Sequence, residues 1–293
     1  MKEALVFPTK PFVTTTICNV DLPVPQDNGV LCQEVEQAYY VRGLGKQGAP
    51  SNESKIESKI GDRVSPFHPM MTPGGTYAEY TVAPIEKTFL IPDGIGFESA
   101  STIALTTLAA ALALFRRQSL PPPWMKRSPN TPPIPLIIYG ASSALETYAI
   151  KLARNSDIHP IIAIVGESAS YVKKLLVPYL GDVFIDYRSG TERMKHDIET
   201  SLGNMPVFHA LDVISEKKSW VTISQVLSPG GTVSVAKTLK VTMKRKSPLV
   251  STSVIVLQPQ DTKATLADID FAYVMFRYIA RLLAIGEFEG TSI

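Results

Sequence analysis

The sequence between residues 134 and 236 alternates short apolar runs with helix-like segments, and this alternation restricts the fold more than any other feature. Strands are predicted at residues 136–139, 160–165, 182–187, 207–214 and 232–236, with a sixth at 251–257. Helices are predicted at residues 143–154, 169–180, 192–202, 218–227 and 264–285. Continuous apolar strands that alternate with helices indicate a parallel sheet covered on both faces. With right-handed crossovers, this part of the chain is predicted to form a doubly wound α/β domain.

The first hundred residues have a different pattern, in which short β-rich pieces are broken by Pro, Gly and Asn. Strands are predicted at residues 4–7, 30–35, 63–65 and 77–82, a polar loop at 43–59 and a buried helix at 98–115. Residues 120–135 then carry seven prolines, which predicts a stiff linker or surface loop and places a domain boundary or an excursion nearby. A chain of 293 residues is long enough for about two domains.

Composition excludes several classes of protein. With 45% hydrophobic and 19% charged residues, the chain is neither disordered nor collagen-like. A formal net charge of +2 gives no case for a nucleic-acid partner, and the basic run at 237–246 is interpreted as a solvated loop. The longest apolar stretch, 101–115, is shorter than the roughly 18 residues of a membrane span. Without a predicted signal peptide, the expected location is cytoplasmic, with both cysteines reduced.

A metal site is not expected. Catalytic zinc needs three ligands such as Cys, His or Glu, and the four histidines are scattered without a recognisable ligand spacing. The two cysteines, Cys18 and Cys32, cannot build a four-thiolate site. His209 falls inside an apolar run, where a satisfied core histidine is the commoner finding.

The turn after the strand at 136–139 is the first candidate binding element. In a dinucleotide-binding unit, this turn places a pyrophosphate on the N-terminus of the next helix. Gly140 is its only glycine, so a G-x-G-x-x-G search fails, but Ser142 and Ser143 can supply hydroxyl and backbone N–H donors. A plain strand–helix turn with a serine N-cap explains the same residues, and the sequence leaves both interpretations open.

The turn after the second strand, Gly166 to Ser170, gives conflicting signals about the adenosine ribose. Glu167 lies 27 residues after Gly140, near the position where an acid binds the ribose hydroxyls of NAD. Ser168, Ser170 and Lys173 would instead suit a 2′-phosphate.

Taken together, the chain resembles the zinc-independent branch of the medium-chain dehydrogenase/reductase family. The nearest group is formed by fungal trans-acting enoyl reductases and the related toxin-cluster reductases. The segments that carry the resemblance are residues 61–84, 91–114, 135–153, 181–190, 227–235 and 271–290. The set in this order is specific, although no single segment is.

The resemblance implies an α/β fold in two domains, a GroES-like β-rich domain followed by a doubly wound Rossmann domain. The implied divisions are residues 1–115 for the shortened GroES-like catalytic domain, 116–285 for the Rossmann domain and 286–293 for the start of a return to the first domain. NADP(H) would bind in the cleft between the two domains, with NADH also open because of Glu167. The implied cofactor-binding residues are Gly140, Ser142, Ser143, Ala144, Leu145, Gly166, Glu167, Ser168, Ala169, Lys173, Tyr187, Val235 and Ala236.

The implied activity is reduction of an enoyl thioester in a fungal secondary-metabolite pathway, by hydride transfer to an activated C=C bond. The substrate would be a small or carrier-bound acyl group, with a polyketide synthase as a candidate partner and a monomer or homodimer as the state. Tyr77, Thr106 and Thr107 are weak candidates for catalytic donors. Two alternatives stay open: a catalytically impaired or truncated nucleotide-binding relative that acts as a partner protein, and a quinone-type reductase.

The first domain departs from the family pattern. The segment 35–59 shows neither the loop beside the nicotinamide nor the second glycine-rich strand that the family has there. A β-rich domain that lacks strands exposes sheet edges and loses core, so we expect this domain to be incomplete.

Overall fold

The computed structural model describes residues 1–7, 14–25, 29–35, 38–44, 58–69, 72–216, 219–235, 251–254 and 266–291. The chain divides into two compact units. Unit 1 comprises Met1–Leu108 together with Pro259–Ile293, and unit 2 comprises Ala109–Gln258.

Unit 2 is built on a six-stranded parallel sheet with the order β10-β9-β8-β11-β12-β13. The strands are β8 Leu136–Tyr139, β9 Ile161–Val165, β10 Val183–Asp186, β11 His209–Asp212, β12 Thr232–Val235 and β13 Ser251–Val254. The helices are α3 Ala144–Asn155, α4 Ala169–Lys173, α5 Thr191–Leu202 and α6 Ser219–Val226, and a short 3₁₀ turn at Pro178–Leu180 follows α4. The strand order reverses direction at β8, which confirms the predicted doubly wound sheet.

The core of unit 2 explains why these strands are so apolar. Ile162, Ile164 and Val233 are fully buried in a cluster that α5 and α6 cover on one face. A strand between two layers of helices has both faces out of water, so apolar residues follow one another without alternation.

Unit 1 contains two antiparallel sheets. The strands β1 Lys2–Phe7 and β2 Thr14–Asn19 form a two-stranded sheet. The five-stranded sheet has the order β6-β3-β4-β5-β7, from β3 Gly29–Val35, β4 Ala38–Leu44, β5 Arg63–Pro66, β6 Tyr80–Pro84 and β7 Thr88–Leu90. Its small core is formed by Val30, Cys32 and Val64. Burial raises the pKa of the Cys32 thiol to about 12, so it packs as an apolar group.

The strand β4 corrects the expectation that the segment 35–59 lacks a strand. It pairs with β3 on one side and β5 on the other, so it fills the middle of the five-stranded sheet. The predicted loop at 43–59 therefore begins later than expected, since Gly43 and Leu44 belong to β4. Residues 45–57 lie outside the described part of the chain.

The predicted buried helix at 98–115 is present as three consecutive pieces. These are α1 Phe97–Ser101, α2 Ala104–Ala111 and a π-helical turn at Leu112–Arg117. By length and composition the run Phe97–Arg117 could cross a membrane, but 56% of its most apolar stretch is buried, as in the core helix of a folded domain. The structure describes one such run.

The last helix, α7 Leu266–Ala284, lies in unit 1, whereas the predicted division placed residues up to 285 in the second domain. Its Phe276 ring lies 5.6 Å from the Phe89 ring of β7, and Arg277 donates to the carbonyl of Thr88. After α7 the chain returns to α1, where the amide of Thr291 donates to Thr102 Oγ1. The apolar face of α7 thus finds its partner in β7, a strand that the sequence analysis did not assign.

The proline-rich segment at 120–135 is an ordered excursion of unit 2 and not the boundary between units, which falls within α2. Arg127 holds it in place by donating to the carbonyls of Asp157 and Pro132.

Candidate functional site

The predicted binding elements of unit 2 converge at the carboxyl end of its parallel strands. The turn after β8 is fixed by Gly140, whose φ is +82°. A Cβ at this position would lie 2.3 Å from Cγ1 of Ile214, so no larger residue fits without a shift of the Ile214 side chain. The amides of Gly140 and Ala141 both donate to the carbonyl of Ile164 in β9, which ties the turn to the next strand.

The first turn of α3 follows directly and presents backbone donors at the surface. Ser143 is its N-cap, with its amide bonded to the carbonyl of Gly140. Ser142 and Ala144 are exposed beside it, whereas Leu145 is buried. Because the N–H groups of the first helical turn lack helical partners, they can donate to an anion. The structure therefore brings Gly140, Ser142, Ser143 and Ala144 together in a turn that can hold a phosphate group.

A buried carboxyl group lies directly behind this turn. Glu146 is 0% exposed, accepts the hydroxyl hydrogen of Ser143 at Oε2 and accepts the amide of Val213 at Oε1, 3.1 Å away. Burial raises the pKa of Glu146 to about 8, because the charged form loses its hydration, and the neighbouring Asp212 adds to the shift. Glu146 thus connects the phosphate turn to the loop after β11.

Asp212, the last residue of β11, organises that loop. Its carboxylate accepts the amide of Ser215 at 2.8 Å and the hydroxyl of Ser219, and its carbonyl accepts the hydroxyl of Ser215. Asp212 is 0% exposed, and burial raises its pKa despite these hydrogen bonds. Asp212 therefore organises the loop after β11, and Glu146 joins that loop to the turn after β8.

The second binding element lies where β9 and β10 end. Tyr187 follows β10 and is half exposed, and its ring lies 6.0 Å from the ring of Tyr139. A Cβ on Gly166 would lie 2.9 Å from the Tyr187 ring, so the glycine lets this ring cover the end of β9. An aromatic face beside a strand end suits the stacking of a planar base.

An arginine lies among the acids at this end of the sheet. The guanidinium of Arg188 lies 2.7 Å from Asp186 Oδ2 and 3.4 Å from Glu167 Oε1. The hydrogen bonds from Arg188 lower the pKa of Asp186 to about 2. Arg188 is the cation beside Glu167, and its planar fork is the group best suited to bind a phosphate.

Lys173, a predicted partner of a 2′-phosphate, lies on α4 with its ammonium 4.1 Å above the ring of Phe184. Ser168 is the N-cap residue of α4 and Ala169 its first residue. Their roles in cofactor binding stay predictions, as does that of Lys173.

The remaining predicted residues lie elsewhere. Val235 is fully buried at the end of β12, and Ala236 lies outside the described residues. In unit 1, Tyr77 is 80% exposed, and Thr106 donates to the carbonyl of Thr102. The buried hydroxyl of Thr107 has no hydrogen-bond partner within the described part of the chain.

Within the described ranges, no three His, Cys, Asp or Glu side chains come together in a group that could hold a metal ion. His209 Nδ1 lies 3.3 Å from Gln118 Oε1, and burial lowers its pKa.

Sequence reasoning missed Glu146, Asp212 and Arg188 as site residues. The spacing of Ser143 and Glu146 fits the S-x-x-E capping-box pattern, which could have drawn attention to the glutamate. In the structure this pair bonds side chain to side chain, and the serine makes no side-chain cap to the helix. For Asp212, the signal was an acid at the end of an apolar strand.

Comparison with known proteins finds relatives among curated sequences and among solved structures. No family model matches the chain. Over 175 residues, or 60% of its length, the chain is 39% identical to the trans-enoyl reductase fsr4 of Gibberella fujikuroi, of which the match covers 52%. It is 30% identical over 182 residues, 61% of its length, to the trans-enoyl reductase eqxC of Fusarium heterosporum, with 49% of that protein covered. The chain thus spans about half the length of the curated relatives that it matches.

Solved structures extend the likeness to nearly the whole chain. The CurK enoyl reductase matches with a TM-score of 0.69 at 14% identity, covering 95% of this chain and 86% of that one. A quinone oxidoreductase of Pseudomonas syringae matches with a TM-score of 0.66 at 17% identity, covering 98% and 90%.

The fold is therefore that of the medium-chain dehydrogenase/reductase enzymes, a GroES-like unit combined with a Rossmann unit. Among proteins of this fold, the relatives that the chain matches in sequence are fungal trans-enoyl reductases. Both findings confirm the resemblance that the sequence motifs indicated.

Proposed function

We propose that this chain is a zinc-independent, NADP(H)-dependent enoyl reductase of a fungal secondary-metabolite pathway. The observation that carries the proposal is the serine-lined turn that runs from Gly140, after β8, to the start of α3. Tyr187 and Arg188 lie at the ends of the neighbouring strands. The identity of 39% to a protein named as a trans-enoyl reductase supports the reaction class. At 17% identity, the likeness to the quinone oxidoreductase is one of fold.

The residues of unit 2 fit the parts of a dinucleotide. The exposed backbone of Ser142 and Ala144 would hold the pyrophosphate, and Tyr187 would pack against the adenine. When bound, the nicotinamide supplies a hydride for an electron-poor carbon of the substrate. In an enoyl thioester that carbon is β to the carbonyl, whose oxygen then gains negative charge and needs hydrogen-bond donors. Three hydroxyl groups stay candidate donors: that of Thr107, which is buried and has no partner among the described residues, that of the exposed Tyr77, and that of Thr106, which donates to Thr102.

Arg188 supports NADP(H) over NAD(H). A 2′-phosphate on the adenosine ribose would replace Glu167 as the anion beside the guanidinium, and charge-assisted hydrogen bonds to phosphate are strong. Glu167 is 90% exposed, so its carboxylate can move aside into water at little cost. If Glu167 stays in place, it would bind ribose hydroxyls instead, which is the arrangement that suits NADH.

Titration of the purified chain with NADPH and NADH, followed by nicotinamide fluorescence, tests the cofactor. We expect tighter NADPH binding, a loss of about tenfold or more in NADPH affinity for Arg188→Ala, and little change in NADH affinity. Arg193→Ala is the matched control, because Arg193 lies on α5 and pairs with Asp197. Equal loss for both nucleotides in Arg188→Ala would assign Arg188 a structural role, and tighter NADH binding by the wild type would reverse the preference.

Activity is tested by NADPH oxidation with enoyl thioesters, free and carrier-bound, against a quinone. Turnover with the thioesters alone supports the proposal, and turnover with the quinone alone would replace it with the quinone-type alternative. Nucleotide binding without turnover of either would favour a non-catalytic partner of a synthase. We further propose that the carrier-bound acyl group is the natural substrate and that the chain acts in the cytoplasm as a monomer or homodimer.

A further inference from the structure

The hydroxyl of Ser143 lies in the phosphate turn, but its only hydrogen is already used. A serine hydroxyl has one O–H to donate, and in the structure it donates to Glu146 Oε2. An ionised carboxylate accepts hydrogen bonds and donates none. With Glu146 charged, Ser143 can donate to an anion in the turn only by giving up its bond to this buried carboxylate.

A proton on Glu146 would reverse this bond. The amide of Val213 donates to Oε1 and leaves Oε2 as the oxygen that carries the proton. The acid O–H could then donate to Ser143 Oγ, so that the hydroxyl hydrogen of this partly exposed serine turns outwards. The turn would gain one donor and lose one negative charge, and both changes favour a bound phosphate.

Burial and an acidic neighbour favour the protonated form of Glu146, and they outweigh the backbone hydrogen bonds from its own amide and that of Val213, which favour the charged form. The fully buried Asp212 on β11 is the charged neighbour that acts on it among the described residues, and it is a second acid. Tyr139, at the end of β8, is a titratable group beside Asp212, and burial raises its pKa. On α3 itself, the ammonium of Lys151 lies 5.5 Å over the Tyr148 ring. Consistent with this setting, the pKa of Glu146 is raised to about 8.

We propose that Glu146 is a positioning residue that must carry a proton for the turn to hold the pyrophosphate of a dinucleotide, so that binding takes up a proton and weakens in alkaline solution. This inference rests on the proposed function, because it requires a dinucleotide in the turn. Glu146 itself acts through Ser143 and contacts no ligand.

The test measures NADPH affinity by nicotinamide fluorescence at pH 6.5 and pH 9.5. For the wild type, we expect affinity to fall by about tenfold or more at the higher pH, since one proton must then be supplied. Glu146→Gln should bind equally at both values, because its amide N–H₂ can donate to Ser143 as the acid does. Ser143→Ala should bind NADPH weakly at both pH values. Glu192→Gln, an exposed acid paired with Lys195 on α5, is the control and should keep the pH dependence of the wild type.

Calorimetry of the wild type at pH 8, in two buffers with different ionisation enthalpies, measures the proton directly. At this pH a 2′-phosphate is fully ionised, since its second pKa is about 6. We expect net proton uptake that disappears in Glu146→Gln, with far-UV circular dichroism to verify that the variants are folded. If Glu146→Gln does not fold, the wild-type uptake and Ser143→Ala decide the matter.

The outcomes separate the two proposals. NADPH binding with no proton uptake, or with the same pH dependence in the wild type and Glu146→Gln, overturns the role of Glu146 and leaves the proposed function intact. Failure of the folded wild type to bind NADPH or NADH at either pH overturns the proposed function and this inference together.

Discussion

The two halves of the candidate site use carboxyl groups in opposite ways. Behind the phosphate turn, Glu146 and Asp212 are fully buried, and burial raises the pKa of both. At the ribose end, Asp186 and Glu167 face water beside Arg188, and the pKa of Asp186 is lowered to about 2. The same side-chain type thus has its charged form disfavoured in one half of the site and favoured in the other. Solvent access decides between the two roles.

The largest effect is expected from closing the tight half of the site. Gly140→Ala forces a side chain into a left-handed conformation and places its Cβ 2.3 Å from Ile214, so we expect a loss of about 2–4 kcal/mol in the free energy of unfolding. Gly230→Ala is the matched control, because its φ is +85° and no atom lies within 4 Å of the added Cβ. Urea denaturation of both variants measures the difference. Equal losses would show that the Ile214 contact relaxes freely.

The pH dependence of stability should separate the two kinds of acid. The folded state keeps a proton on Glu146 up to a pKa of about 8, above the ordinary value of 4.5. The contribution of Glu146 to the free energy of unfolding therefore falls as pH rises from about 4.5 to about 8. Glu146→Gln should lose this slope and gain stability relative to the wild type towards pH 9.

Asp186→Asn should behave in the opposite way. The pKa of Asp186 is lowered from 3.8 to about 2. Its contribution to the free energy of unfolding is therefore present above pH 3.8 and is lost as pH falls towards 2. Because the group is exposed, its effect at pH 7 should be small. Urea denaturation from pH 3 to pH 9 compares the two variants. The same pH dependence of stability in both would show that the buried and the exposed carboxyl group do not differ in this way.

The smallest effect is expected at the open half. Gly166→Ala places a Cβ 2.9 Å from the ring of Tyr187, but this ring is half exposed and can swing into water. We expect a loss below about 1 kcal/mol, measured by urea denaturation. In a Tyr187→Ala background the loss should vanish. If Gly166→Ala costs as much as Gly140→Ala, the ribose end is as rigid as the phosphate turn.

The sequence was sufficient for the parallel sheet because its four central strands, β8, β9, β11 and β12, are buried over almost their whole length. Leu136–Tyr139 was predicted with its observed bounds, and the other predicted strands of unit 2 differ by a few residues at their ends. The antiparallel unit was harder, since β7 has only three residues and both β4 and β7 are defined by their partners in the sheet. Pairing between distant segments leaves little trace in a local pattern.

The candidate site was predicted in part for a similar reason. The position of Gly140, Ser142 and Ser143 follows from local order along the chain, so the turn could be found. The burial of Glu146 depends on Val213 and Asp212, which are 67 and 66 residues away in the sequence. No local pattern reports such a contact, although the S-x-x-E spacing could have drawn attention to Glu146 itself.

The packing of α7 on β7 has a consequence for how the protein is made. Thr88 and its partner Arg277 are separated by 189 residues, and all of unit 2 lies between them in the chain. At roughly 5–20 residues per second, a ribosome needs about 10–40 seconds to synthesise that interval. During this time, β7 has been synthesised but lacks the helix that covers it, whereas unit 2 is continuous and can fold as soon as it emerges. During translation, unit 2 should therefore fold before unit 1, which can fold completely only after α7 has been synthesised.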